Sequence, residues 1–401
     1  MNSFTFALST RVIFGSGSVE EVGREVGACG KHALLVTGST FARRSGLMQR
    51  IHASIRSEGV DVTTFDGLAQ NPTTDVIDSG AQVARDTGVD VVLGLGGGSA
   101  MDAAKAIAAA ATAPHSIWEY TRHLPDGDPP TIEGALPTIL VPIIASTGSE
   151  TNSTAVIFDQ RSRTKAPLTS PHLFARVAIV DPSLTFTVPS RYTAVGAMNI
   201  LSQMLETYLT SDEFAVTDRV TEGLIRTVMD GLGRAMRHGD DLDARSNLSW
   251  AATMASTVAL AGRAGSMPLR SLAYPLTAHA EVDHGVALAG LWPSFMRFAL
   301  ANRLRLPQIG RFKRYALLGR QIFGVHETDD EVAAEMTAYR FAHWLRSMDM
   351  PTDLLDLNID ADSFRNLAEQ AVMVSGNGKR LPCGLAVQDI EHIYDGAMRP
   401  S

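Results

Sequence analysis

The sequence predicts an α/β N-terminal domain with a Rossmann-like parallel sheet, followed by an all-α helical-bundle domain. Three observations predict it. Short β-branched and leucine-rich runs alternate with helix-length stretches as far as residue 187. A buried-strand run over residues 90–96 passes through three glycines into an alanine-rich helix. Beyond Val188 strand signals stop, and long stretches with helical apolar periodicity take over. The expected domains are therefore residues 1–187 and 188–401.

With 401 residues, 45% of them hydrophobic and 19% charged, the chain carries enough apolar material for two cores. A formal charge of −8, without a basic tract, argues against nucleic acid as a partner. The alanine-rich run 103–113 is too short to span a bilayer and contains Lys105, so it reads as a buried helix and no membrane is expected. Neither a charged leader with an apolar core nor a cysteine pair is visible, since Cys29 and Cys383 lie far apart. The expectation is a cytoplasmic protein with reduced thiols.

In order, the chain opens as a strand pair, with Phe4, Phe6 and Leu8 alternating and Val12, Ile13 and Phe14 following, ahead of a Gly15-Ser16-Gly17 turn. A helix is expected from Ser18, whose hydroxyl can cap it, with Glu20 and Glu21 in its first turn. The run 32–37 is a buried strand ending in Gly38, Ser39 and Thr40, and in an open parallel sheet this first βα loop is a natural nucleotide site. A strand over 60–65 leads to Asn71 and to Pro72, which is expected to open the next helix. Then come the strand 90–96 and the run Gly96-Gly97-Gly98-Ser99, with Asp102 and Lys105 behind it. Glycines let a backbone approach a pyrophosphate, and the helix start offers unpaired N–H groups and partial positive charge. By itself such a turn also fits a plain strand-to-helix connection. After a proline-rich excursion over 123–131, the strand 136–142 leads to Ile143, Ile144, Ser146, Thr147, Gly148 and Ser149. Lys165 lies in a Ser/Arg-rich stretch that reads as a turn. A strand and turn over 178–184, ending at Leu184, precede the second domain.

Two stretches organise the helical half. In 191–209, Asn199 and Gln203 stand four apart and share a helix face. In 267–286, Arg270 and Tyr274 repeat that spacing and His284 follows. Such a set is how helical domains build a metal centre, yet His284 is the one good ligand of the five. Amides coordinate transition metals poorly, and a guanidinium cannot coordinate at all. Periodic stretches at 220–236, 248–260, 331–345 and 364–374, then a last helix at 387–397, complete the bundle.

On these residues the chain resembles, over nearly its whole length, the iron-dependent alcohol dehydrogenases, a family that includes butanol dehydrogenases and maleylacetate reductases. The glycine run with Asp102 and Lys105 matches the family's pyrophosphate loop. Thr147, Gly148 and Ser149 match its hydroxyl-lined cofactor wall, although Ile143 and Ile144 replace two threonines. The resemblance implies an NAD(P)-dependent dehydrogenase or reductase, acting in a cleft between the domains, as a homodimer or larger homo-oligomer. It implies Gly38, Ser39, Asn71, Gly96, Gly97, Gly98, Ser99, Asp102, Thr147, Lys165 and Leu184 as cofactor-binding residues. For Lys165, a solvated lysine in a turn is an equal reading. The four metal-ligand positions fall on Asn199, Gln203, Arg270 and His284, and a further active-site histidine falls on Tyr274. His284 alone keeps the family's residue.

No catalytic metal is therefore expected. NADPH is expected over NAD, because the acid that would accept a ribose 2′-OH is replaced by Gly38, with Ser39, Thr40, Arg43 and Arg44 beyond it. Each arginine alone fits a solvated helix face as well. Arg270 can offset the negative charge that develops on a carbonyl oxygen, or hold an anionic group of a small-molecule substrate. Tyr274 can donate a proton or fill the space of the lost ion, and His284 can donate a proton or orient the substrate. Asn199 and Gln203 complete the candidate catalytic set. An iminium substrate needs no Lewis acid, with Glu206, Glu281 or Asp283 to balance it, although Glu206 also suits a helix–helix hydrogen bond. The expected function is metal-independent, NADPH-dependent reduction of a small carbonyl or imine compound. The alternatives are a non-catalytic dinucleotide-binding protein, and a conventional enzyme holding its ion with His284 and His279, Glu281 or Asp283.

Overall fold

The computed structural model describes residues 3–38, 40–121, 129–263, 265–357, 359–376 and 378–399. Ser39 and most of the excursion expected over 123–131 lie outside the described residues. The chain divides into two compact units. One comprises Ala7–Val188 with Gly239–Thr257, the other the residues up to Phe6 with Pro189–His238 and Val258–Ser401.

The first unit contains β1 (Arg11–Phe14), α1 (Val22–Gly27), β2 (His32–Thr37), α2 (Thr40–Arg44), α3 (Leu47–Ser57), β3 (Asp61–Phe65) and α4 (Thr74–Thr87). It continues with β4 (Val91–Gly96), α5 (Gly98–Ala110), β5 (Thr138–Pro142), β6 (Thr154–Asp159), β7 (Thr164–Thr169) and β8 (Val177–Val180). Six strands form a parallel sheet in the order β1-β8-β5-β4-β2-β3. Its strands are apolar on both faces because both faces are covered. Along β2, Leu34 and Val36 join the core beneath α4 and α5, while Ala33 and Leu35 join the core beneath α1 and α3. The pleat imposes that alternation.

Helix α5 lies close against the sheet. A Cβ on Gly94 would stand 2.8 Å from that of Ala104 and 2.7 Å from Leu140, so glycine in the strand and alanine in the helix are what permit the approach. Lys105 in α5 is fully buried, and its Nζ donates to the Ser149 carbonyl at 2.9 Å, to Asn152 Oδ1 at 3.1 Å and to the Thr154 carbonyl. Burial lowers its pKa to about 8. One turn earlier, Asp102 accepts from the Ser149 hydroxyl and from the Val156 N–H at 3.0 Å. These two charged side chains fasten the segment after β5, and the strand that follows it, onto α5.

Several local expectations are corrected. Phe4, Phe6 and Leu8 form no strand and are 50%, 49% and 44% exposed; β1 pairs with β8 instead. The Ser18 hydroxyl caps nothing, because a tight 3-10 turn, Ser18–Glu21, starts after the left-handed Gly17 and the α-helix begins only at Val22. Helix α4 starts after Thr73, whose Oγ1 accepts from the Val76 N–H at 3.4 Å, two residues past the start expected at Pro72. Lys165 lies within β7 of an antiparallel hairpin with β6, not in a turn. Lysine and proline are depleted in strands, so the stretch containing Lys165 and Pro167 hides its partner's regular pattern.

The remaining elements are α6 (Ser190–Thr210), α7 (Ala215–Arg237), α8 (Leu242–Ala255), α9 (Pro268–Ala280), α10 (His284–Ala301), α11 (Phe312–Ile322), α12 (Asp330–Ser347), α13 (Phe364–Ser375) and α14 (Val387–Ala397). Although α8 was expected in the bundle, it belongs to the α/β unit. Thr253 donates to Glu150 at 2.9 Å, Ser256 to the Gly148 carbonyl at 2.9 Å, and the Arg245 guanidinium to the Val188 carbonyl at 3.1 Å. Such polar tethers carry no sequence period.

In the helical unit α6 is the axis, buried at every residue from 193 to 210, and it packs against α7, α9 and α10. The Tyr208 hydroxyl donates to Glu222 at 2.7 Å, and the Arg314 guanidinium lies 3.9 Å from its ring centre. Arg314 grips Asp218 as a fork, at 2.7 and 2.9 Å, and Arg263 reaches the same carboxylate at 2.6 Å. Burial alone would push the Asp218 carboxyl up, but the two guanidiniums hold it below the usual carboxylate range. Its removal would strand two buried cations. Asp218→Asn is expected to lower the unfolding free energy by about 3–5 kcal/mol, read as an early urea transition; a wild-type transition would show that the cations are otherwise compensated.

Candidate active site

At the nucleotide end, β4 runs into Gly96 at φ +156°, Gly97 caps α5 in extended geometry and Gly98 begins the helix. Thr147 of the following segment packs against that start: a Cβ on Gly98 would stand 2.8 Å from its Oγ1. The Asn71 N–H points at Ser99 Oγ, 3.4 Å away. Gly96, Gly97, Gly98, Ser99, Asn71 and Thr147 thus meet around the first turn of α5, whose N–H groups and dipole suit a pyrophosphate. Lys165 is 6% exposed, and burial lowers its pKa to about 7. It pairs across the hairpin with Phe158, whose N–H bonds the Pro72 carbonyl at 3.0 Å, so it belongs to the same neighbourhood. Asp102 is occupied as a strut, and Leu184 packs into the core beneath α1 and α3.

Gly38, just beyond β2, has a second constraint. A Cβ there would stand 2.2 Å from the Leu68 carbonyl oxygen, so no side chain fits without moving that backbone. Arg43 forms an ion pair with Asp66 at 3.1 Å, which leaves the exposed Arg44 as the less committed of the two cations.

In the helical unit, α6, α9 and α10 bring the remaining candidates together. Asn199 and Gln203 are 8% and 5% exposed, and the Gln203 amide donates back to the Asn199 carbonyl at 3.3 Å. One turn on, the Glu206 carboxyl accepts from the Arg270 N–H in the first turn of α9 at 3.1 Å and from Ser202 Oγ at 3.3 Å. Ser202 Oγ in turn accepts from the indole of the fully buried Trp292 at 2.8 Å. The helix–helix bond expected of Glu206 is present, whereas the Ser202 and Trp292 links were not legible from spacing. Burial raises Glu206 to about 7, against the pull of Arg270 and of the amides it accepts from. The Arg270 guanidinium is half-buried and takes no hydrogen bond or ion pair from the described residues. Tyr274, 7% exposed, stacks on the His284 ring with centroids 5.5 Å apart and planes at 27°. His284 opens α10, and Gly285 lets that helix touch α6, since a Cβ there would stand 2.3 Å from the Val195 carbonyl oxygen.

A model of the iron-containing alcohol dehydrogenases matches residues 9–182, and a model of the family's C-terminal domain matches residues 193–398. The chain belongs to the iron-containing alcohol dehydrogenase family. It is 30% identical over 380 residues to NADH-dependent butanol dehydrogenase A of Clostridium acetobutylicum, covering 94% of each chain. It is 28% identical to the NADPH-dependent aldehyde reductase YqhD of Escherichia coli, covering 92% of this chain and 93% of that one. Among solved structures, NADH-dependent butanol dehydrogenase A from Thermotoga maritima superposes with a TM-score of 0.91 at 29% identity, covering 100% of this chain and 99% of the other.

The family's name implies iron, and the donor set here does not suit it. Two amides, a guanidinium and one imidazole stand at the four matching positions, and the described residues contain no group of three or more His, Cys, Asp or Glu placed to hold an ion. His279 and Glu281 are exposed at the end of α9. The glycine loop, by contrast, suits a dinucleotide.

The Glu206 carboxyl provides a test of this geometry. Between its ordinary 4.5 and about 7, the folded chain holds a proton that the unfolded chain has released. Its contribution to stability is full below the unfolded value and is lost as pH rises through 7, with a slope of up to about 1.4 kcal/mol per pH unit. Glu206→Gln should therefore gain on wild type between pH 5 and pH 8 in thermal unfolding. An identical offset at both pH values would place the titration elsewhere.

Proposed function

We propose that this chain is an NADPH-dependent reductase of a small carbonyl compound that works without a metal ion. The observation that carries the reading is Arg270, half-buried, whose guanidinium takes no hydrogen bond or ion pair from the described residues, at a position that the resemblance assigns to a metal ligand. The coenzyme, when bound, supplies a hydride. First-turn N–H groups of α5 hold its pyrophosphate, with Thr147 and Ser99 beside them. Arg270 offsets the charge that grows on the carbonyl oxygen, a task usually left to a Lewis acid worth several kcal/mol. Tyr274 delivers the proton, and the stacked His284 fixes the orientation of its ring.

Support for NADPH comes from Gly38, where the acid that would read a ribose 2′-OH is missing and has no room, and from the exposed Arg44 a turn later. The relatives divide on the point, since the butanol dehydrogenases are named NADH-dependent and the aldehyde reductase NADPH-dependent. Between carbonyl and imine, the carbonyl is favoured. Glu206 is engaged by backbone amides and raised by burial to about 7, Glu281 is exposed, and the fixed charge of Arg270 repels an iminium ion.

Arg270→Ala should lower kcat/KM on the best substrate of an aldehyde and keto-acid panel by about 10²–10³-fold, with NADPH affinity unchanged. Arg270→Lys should restore only part, because a point charge lacks the guanidinium fork. Wild-type turnover in Arg270→Ala would remove the guanidinium from the mechanism. Fluorescence titration should give a dissociation constant for NADPH at least about tenfold below that for NADH, and the reverse order would overturn the coenzyme assignment.

A further inference from the structure

A cavity of about 480 Å³ lies in the helical unit between α10, α11 and α12. Its volume is within the range of small-molecule sites, and none of the residues assigned to the reaction lines it. His284 stands at the opposite end of α10, thirteen residues before Arg297, or about 20 Å along the helix. Pro293, Leu300, Ala338 and Ala342 form an apolar floor, and the 69% exposed Tyr339 stands at the mouth.

Charge decides what such a cavity would accept. Among its lining side chains are Arg297, Arg303 and Arg346 against Glu331 and Glu335. Arg303 is already paired with Glu331 at 2.7 Å. The described residues offer Arg297 the Gly396 carbonyl at 3.5 Å and no carboxylate at ion-pair distance. Arg297 is exposed on α10, so its guanidinium is accessible to a ligand in the cavity. A neighbouring cavity of about 440 Å³ shares Arg303, Phe312 and Glu331, but there Arg311 is paired with Asp212 and Arg314 with Asp218. Lys313, the second cavity's remaining cation, shares its lining with Asp212, Glu213 and Glu331, whereas Arg297 lines the first cavity together with its apolar floor.

We propose that this cavity binds a small amphipathic carboxylate, with its acid group on the Arg297 guanidinium and its hydrocarbon body against Pro293, Leu300, Ala338 and Ala342. A carboxylate accepts two parallel N–H bonds from a guanidinium, and the apolar body gains by leaving water. The site is independent of the reductase reading and would stand if that reading fell.

Isothermal titration of the full chain with octanoate, octanol and acetate separates the contributions. Octanoate should bind saturably, at least tenfold more tightly than octanol, and acetate should show no saturation. Arg297→Ala should weaken octanoate at least tenfold, and Ala301→Trp, which fills the mouth from an exposed position, should abolish binding. Both variants should keep the wild-type thermal unfolding transition, which shows that they are folded. Absence of saturable octanoate binding, or equal binding by wild type and both variants, would overturn the proposal. So would concentration-dependent self-association lost in Ala301→Trp, since a second copy would then cover the cavity.

Discussion

The buried carboxyl of Glu206 joins α9 to α6 at the candidate site. It takes the N–H of Arg270 at 3.1 Å and so fixes the first turn of α9 against α6, while Ser202 and the Trp292 indole hold the carboxyl from behind. The positions of Arg270, and of Tyr274 one turn later, follow from that junction together with the packing of α9 against α10 and α13. His284 arrives from a third helix, pressed on α6 at Gly285 and stacked on Tyr274. A bound ion would knit α6, α9 and α10 through their side chains. Among the described residues, the Glu206 hydrogen bonds and the close backbone contact at Gly285 join the same three helices.

The electrostatics agree with that construction. A guanidinium beside an ionised acid would be quenched, and an acid beside a metal is what the family places at residue 199. Asn199 and Gln203 are neutral, and Glu206 is pushed toward its neutral form by burial. In the proposed reading Arg270 supplies the fixed positive charge at this end of α9. Hydride transfer to a carbonyl rewards that arrangement, because charge accumulates on oxygen only as the transition state is reached.

Much of the fold was legible. The buried strand 32–37 and the last helix 387–397 were read to the residue, since each is an apolar pattern with clear punctuation. The glycine loop was legible for the same reason. What stayed hidden was long-range or polar. Helix α8 is claimed by the α/β unit through Thr253, Ser256 and Arg245, whose partners lie tens of residues away or more in most cases. The β6–β7 hairpin carries a buried lysine and a proline, and the N-terminal phenylalanines alternate without a strand to pair with. In the helical unit, spacing put Asn199 with Gln203 on one helix and Arg270 with Tyr274 on another, as α6 and α9 have them. It could not show that Trp292, ninety residues from Ser202, completes their support.

The most direct test of the central claim is elemental analysis of freshly purified chain alongside its NADPH-dependent turnover. Zinc and iron far below one per chain, with turnover unchanged by a strong chelator or by added metal, is the predicted result. A stoichiometric transition metal whose removal abolishes turnover, and whose return restores it, would contradict the account.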